Sequence, residues 1–147
     1  MKNLLSLAGI LLILSLQAFA QKSEVFKTGA GAIRGYDPVA YFKEGQPVKG
    51  GTGLSFEWKG SVWLFSTKEN LELFKATPEK YAPQYGGYCA YGTADGHKAS
   101  TDPGAWTIVD GKLYLNYNKN VQSLWNKKQK EFIEQANNNW PKIKDKE

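Results

Sequence analysis

The chain has 147 residues and a formal charge of +5, enough for one domain with a single core and too small a charge excess to imply a nucleic-acid partner. One cysteine and one histidine exclude an internal disulfide framework and a Cys₂His₂ zinc site within one subunit. Five Trp, eight Tyr and seven Phe can build a rigid core without disulfides and also line a pocket.

Residues 1–20 begin with the basic Met1-Lys2-Asn3, continue through an apolar run from Leu4 to Leu16, and end in Ala18-Phe19-Ala20. That order predicts a secretory signal peptide cleaved before Gln21, and so a protein exported to the periplasm or beyond. The apolar run is shorter than the roughly 20 residues that span a bilayer, so no stable membrane insertion is expected after cleavage. Met1 is the only methionine, so the remaining chain holds no Met-rich copper(I) site.

Residues 21–34 are polar and glycine-bearing and predict a loose N-terminal arm. From Gly35 the pattern changes: Asp37-Pro38 reads as a turn or cap, Val39 to Phe42 as a short apolar element, and Gly50-Gly51-Thr52-Gly53 as a loop without the lysine of a phosphate-binding motif. Leu54 to Trp58 and Ser61 to Phe65 flank Lys59-Gly60 and predict a β-hairpin. Ser66 with Glu69 three residues later matches a capping box for a helix through Leu71 and Phe74. Thr77-Pro78 predicts the start of a second short helix carrying Tyr81.

An aromatic, glycine-rich run from Tyr85 to Gly92 contains Cys89, and a polar loop from Thr93 to Lys98 contains His97. Trp106 to Val109 and Lys112 to Leu115 flank Asp110-Gly111, a favoured two-residue hairpin turn. A helical pattern over residues 118–138 places Val121, Leu124, Trp125, Phe132, Ile133 and Ala136 on one side, with Pro141 as its stop. Residues 142–147 form a charged tail. The class is α+β: a small single domain over residues 35–141, with two β-hairpins packed against short helices and a longer C-terminal helix.

Cys89 is the chemical question. A free cysteine is either sealed in the core or kept for reaction, and a reactive thiol needs a depressed pKa from a helix N-terminus or a nearby cation. Gly86-Gly87 lets the chain turn so that Cys89 begins a short helix, and Arg34, Lys98 and His97 are the available cations. His97 could serve as the base that forms the thiolate, or join Cys89 and either Asp95 or Asp102 around copper or zinc, within one chain or across a homodimer. Tyr85, Tyr88 and Tyr91, spaced by three, would share one side of a helical turn, as core or as an aromatic pocket around the sulfur. No nucleophile elbow or zinc-protease motif is present.

Several ordered motifs together resemble the YHS domain-containing (seleno)protein family. They are Gly35-Tyr36-Asp37-Pro38-Val39-Ala40-Tyr41-Phe42, the Trp58, Gly60, Trp63, Phe65 and Ser66 hairpin, Asn70, Phe74, Pro78 and Tyr81, the Tyr85 to Tyr91 run, Asp102-Pro103, Trp106, Val109 to Tyr114, and Asn139-Trp140-Pro141. The resemblance implies a small α+β module linked to transition-metal handling, with cysteine ligands in the metal-binding members. Aligned on Pro78 and Tyr81, those cysteines fall at Ala40, Ser66 and Asn70, none of which is a thiol. It also implies a reactive Cys89, since the selenocysteine of some relatives falls at this position.

Three readings follow. The first is a metal-binding or small-ligand module centred on Cys89, with His97 as auxiliary ligand and Tyr85, Tyr88 and Tyr91 around the ligand. The second is a thiol oxidoreductase with Cys89 as redox nucleophile and His97 as base, completed by an external thiol because the chain has no resolving cysteine. The third is a non-catalytic interaction module with an inert thiol.

Overall fold

Tight turns generate the strands. The computed structural model describes residues 23–146, so the signal-like stretch over residues 1–20 lies outside the described residues. Lys59 and Gly60, with φ of 50° and 70°, join β3 (Gly51–Trp58) to β4 (Ser61–Phe65), and Asp110 and Gly111, with φ of 51° and 74°, join β5 (Trp106–Val109) to β6 (Lys112–Leu115). Two successive left-handed residues match the twist of the flanking strands, which is why both hairpins are legible locally. Phe56 faces Trp63 and Ile108 faces Leu113 in the two antiparallel ladders. Residues 52–54 bulge out of β3, since Gly51 pairs with Phe65 while Ser55 pairs with Leu64.

A third hairpin lies where a loose arm was expected. β1 (Lys27–Thr28) pairs with β2 (Gly31–Ala32), and Val25, Phe26, Ala32 and Ile33 are buried. The Phe26 amide donates to the Gly86 carbonyl at 2.9 Å, which ties this segment to the Cys89 region. Its few apolar side chains are enough to anchor it once a tertiary surface is present.

Among the described residues six α-helices complete the α+β fold: α1 (Ala40–Lys43), α2 (Lys68–Ala76), α3 (Pro78–Tyr81), α4 (Ala90–Ala94), α5 (Lys119–Asn126) and α6 (Gln129–Ile143). Thr67, not Ser66, caps α2, its hydroxyl accepting from the Asn70 amide at 3.1 Å. Pro78 stands at the first position of α3, where its missing N–H costs nothing. The C-terminal helix expected as one element is two. The chain breaks at Lys128 (φ −144°), so that α6 leaves the line of α5 and packs along α4, where Asn139 donates to the Thr93 and Ala94 carbonyls. Pro141 does not stop α6 but lies inside its last turn, held there by Trp140 against the Tyr85 and Tyr88 rings.

Two cores share strand β6. Leu113 and Leu115 point into a cluster with Tyr41, Trp63, Phe65 and Phe74, while Tyr114 points into a second cluster with Tyr85, Trp125 and Ala136. The period of two along a strand accounts for the division. Phe74 is fully buried, with the rings of Phe65, Trp63 and Trp58 at 5.1, 5.2 and 5.6 Å. Among the described residues no helix is long and apolar enough to cross a membrane.

Candidate functional site

Cys89 follows a 3-10 turn, Gln84–Gly87, in which Tyr85, Gly86 and Gly87 are all left-handed. The turn aims the chain so that Cys89 caps α4. Its sulfur accepts from the Gly92 amide at 3.4 Å and from the Tyr117 amide at 3.3 Å, and its S–H donates to Asn116 Oδ1 at 3.5 Å. Cys89 is 2% exposed. Burial pushes its thiol up, and the amides of Gly92, Tyr117 and Tyr91 offset only part of that shift. The Asn116 carbonyl oxygen suits a protonated thiol, because a thiolate would face an acceptor where it needs a donor.

Asn116 was not singled out from the sequence. It is fully buried, it also accepts from the Tyr91 amide at 3.1 Å, and its Nδ2 has no partner among the described residues. An Asn after a strand carries the same local signature as any loop residue, so its role emerges only from the approach of α4.

The residues proposed to assist Cys89 have other partners. His97 is exposed and pairs through Nδ1 with Asp95 Oδ2 at 3.4 Å. Arg34 donates to the Thr101 carbonyl and lies over the Phe26 ring. Lys98 donates to the carbonyls of Ser23, Lys144 and Lys146 and lies over the rings of Tyr88 and Trp140. Asp102 accepts from the Gly104 amide in a turn. Among the described residues no three His, Cys, Asp or Glu side chains come together as a metal-binding group. Within the described residues of one chain, Cys89, His97 and a carboxylate therefore do not form such a group.

The three tyrosines have polar and ring partners of their own. Tyr85 donates to Asn137 Oδ1 at 2.9 Å, Tyr88 donates to the Ser23 carbonyl at 2.7 Å, and Tyr91 packs its ring on Phe132 at 5.0 Å. Spacing by three aligns side chains only along a continuous helix, and the left-handed pair Tyr85-Gly86 breaks that continuity.

A second buried polar centre lies at Asp37, which is fully buried. Its Oδ1 accepts from the amides of Val39 at 2.9 Å and Ala40 at 3.3 Å. Its Oδ2 accepts from the Ser66 amide at 2.8 Å, the Ser66 hydroxyl at 2.7 Å and Asn70 Nδ2 at 2.8 Å. This explains the displaced cap of α2: the Ser66 hydroxyl that would start a capping box donates to a carboxylate 29 positions away. The sequence marked Asp37 as a turn or cap residue, and it does accept the Val39 and Ala40 amides in the turn that leads into α1, but its hold on β4 and α2 is long-range. Nitrogen and hydroxyl donors aimed at one carboxylate do not fit a soft metal ion, which takes thiolate or imidazole ligands.

A surface groove of about 480 Å³ gathers several aromatic rings. Trp58, Trp63, Tyr85 and Trp140 line it, with Gln84 and Asn137 supplying amides. Lys59 and Glu24 pair across its rim at 3.3 Å, and Lys59 lies over the Trp58 ring at 4.8 Å. Glu79 and Lys112 also line it and form no ion pair among the described residues. Of the residues singled out in the sequence, Tyr85 lines this groove, while Cys89, His97, Tyr88 and Tyr91 do not.

Comparison with known proteins adds one match. No curated protein and no solved structure matches the chain. The matched segment runs from Val39 to Tyr85, taking in α1 to α3, the β3–β4 hairpin and the donors of Ala40, Ser66 and Asn70, and stopping short of Cys89 and His97. Residues 39–85 match the family model of the YHS domain, so this segment of the chain is similar to a YHS domain.

Proposed function

We propose that this protein is an exported, non-catalytic module that binds a small amphipathic molecule in the groove between the matched YHS segment and α6. The groove carries the proposal: four aromatic rings and two amides, with two lysines and two glutamates, line a space within the usual range for small-molecule sites, about 300–1,000 Å³. The half-buried rings of Trp58 and Trp140, backed by the buried Trp63 and Tyr85, would cover apolar faces of the ligand, while Gln84, Asn137, Glu79 and Lys112 meet its polar edges. The charges balance, which suits a neutral or zwitterionic molecule better than a polyanion. Export rests on the leader-like sequence of residues 1–20 alone.

Two observations weigh against a site centred on Cys89. Burial pushes the thiol up, and His97 is turned to Asp95.

The test is amide NMR of the purified chain titrated with indole and then with a fragment mixture. Shifts concentrated on Trp58, Lys59, Gln84, Tyr85 and Trp140, and weakened in Trp58→Ala, are the expected result. Shifts centred on Cys89 and His97, or none in the groove, would overturn the reading.

A further inference from the structure

We infer that the Asp37 carboxylate stands, in this chain, where a metal ion would sit in a YHS core, so that hydrogen bonds close the core in place of coordination. The three positions to which the resemblance assigns metal-binding cysteines, Ala40, Ser66 and Asn70, all donate to this one carboxylate, at 3.3, 2.7 to 2.8 and 2.8 Å respectively. Ala40 donates locally, through its backbone amide three residues from Asp37, whereas Ser66 at the end of β4 and Asn70 on α2 reach the same carboxylate from 29 and 33 positions away, so their meeting is a product of the fold. The Ser66 hydroxyl and the Asn70 amide converge on the same atom, Oδ2.

The chemistry has the opposite sign from a cation site. A carboxylate offers about four lone-pair directions, and five donors use them all. Their N–H and O–H groups present positive ends inward, and Asp37 is fully buried, so no face remains for a cation to approach. The inference stands apart from the ligand groove, which does not include Asp37, Ser66 or Asn70.

Convergence on one atom makes the inference testable in both directions. In a Cys89→Ser background, which removes the native thiol, Ser66→Cys with Asn70→Cys places two thiols facing Asp37 Oδ2. Cd(II) is the probe, read by its thiolate charge-transfer absorption and by equilibrium dialysis. The double variant should bind one Cd(II) at least about tenfold more tightly than its parent. A double variant with a native circular dichroism spectrum that binds no more tightly than the parent overturns the placement. Wild-type protein gives the second measurement, independent of whether the double variant folds. Its melting temperature should not change with added Zn(II) or with a chelator, and a Zn(II)-dependent rise that disappears in Asp37→Asn would make the carboxylate a ligand and end the proposal.

Discussion

A thiol whose S–H meets a carbonyl oxygen while its lone pairs face two amides is satisfied only as long as it keeps its proton. Cys89 is in that state, and burial reinforces it. Alkylation of the native protein by iodoacetamide at pH 8 should therefore run at least about tenfold slower than alkylation of the urea-unfolded chain; equal rates would show an accessible, reactive sulfur. The same bonds set the cost of removing the sulfur. Cys89→Ala strands the Gly92 and Tyr117 amides in the interior and should lose about 2–3 kcal/mol in urea melts, whereas Cys89→Ser keeps an acceptor and should lose less. Of this site the sequence disclosed the glycine turn and the helix start, because Gly86-Gly87 marks them locally. It did not disclose Asn116, whose importance depends on a sulfur 27 positions away.

Elements in this chain begin and end where local chemistry and distant partners agree, and shift where they compete. The Asp110-Gly111 and Lys59-Gly60 turns and Pro78 at the start of α3 were legible because each is complete within a few residues. The α2 cap was displaced by one residue because Asp37 takes the Ser66 hydroxyl. Thr67→Ala should thus cost about 1 kcal/mol by chemical denaturation, as loss of an N-cap does, while Glu69→Ala, the supposed partner in a capping box, should change stability by less than about 0.5 kcal/mol. The break between α5 and α6 and the tolerance of Pro141 were hidden for a similar reason: the Asn139 bonds to α4 and the Trp140 contacts fix α6 from outside its own sequence. Glycines separate by the same logic. A Cβ at Gly86 would lie 1.8 Å from the Glu24 carbonyl oxygen, whereas one at Gly111 meets nothing within 4 Å, and both are left-handed. Gly111→Ala should cost only the conformational strain, about 1–2 kcal/mol. Gly86→Ala adds a backbone clash and should cost at least about 3 kcal/mol, lowering the melting temperature further.

At the scale of the whole molecule, burial favours the protonated thiol and phenols. Burial raises the pKa of Cys89 and of Tyr41, Tyr85, Tyr88 and Tyr114 above their ordinary values. A group that binds its proton more tightly when folded contributes stability fully below its unfolded pKa, near 8.5 for Cys and about 10 for Tyr, and loses it as pH rises through the folded value. Melting temperature followed by circular dichroism should accordingly fall from about pH 9 upward, most steeply above pH 10, and Tyr41→Phe should lessen that slope. A melting temperature unchanged to pH 11 would contradict the assignment. The fold class was legible at this scale because hairpin turns and amphipathic periods are local, but the division into two cores on either side of β6 was not, since it needs the strand's neighbours. Lys98 carries a last consequence. Its ammonium gathers the carbonyls of Ser23, Lys144 and Lys146. The path from 23 to 146 is therefore almost a closed ring, and the order in which the ring is synthesised is separable from the shape it takes. A circular permutant joining 146 to 23 through a short glycine-serine linker, and opened between Asp110 and Gly111, should give the same near-ultraviolet circular dichroism spectrum as the natural order.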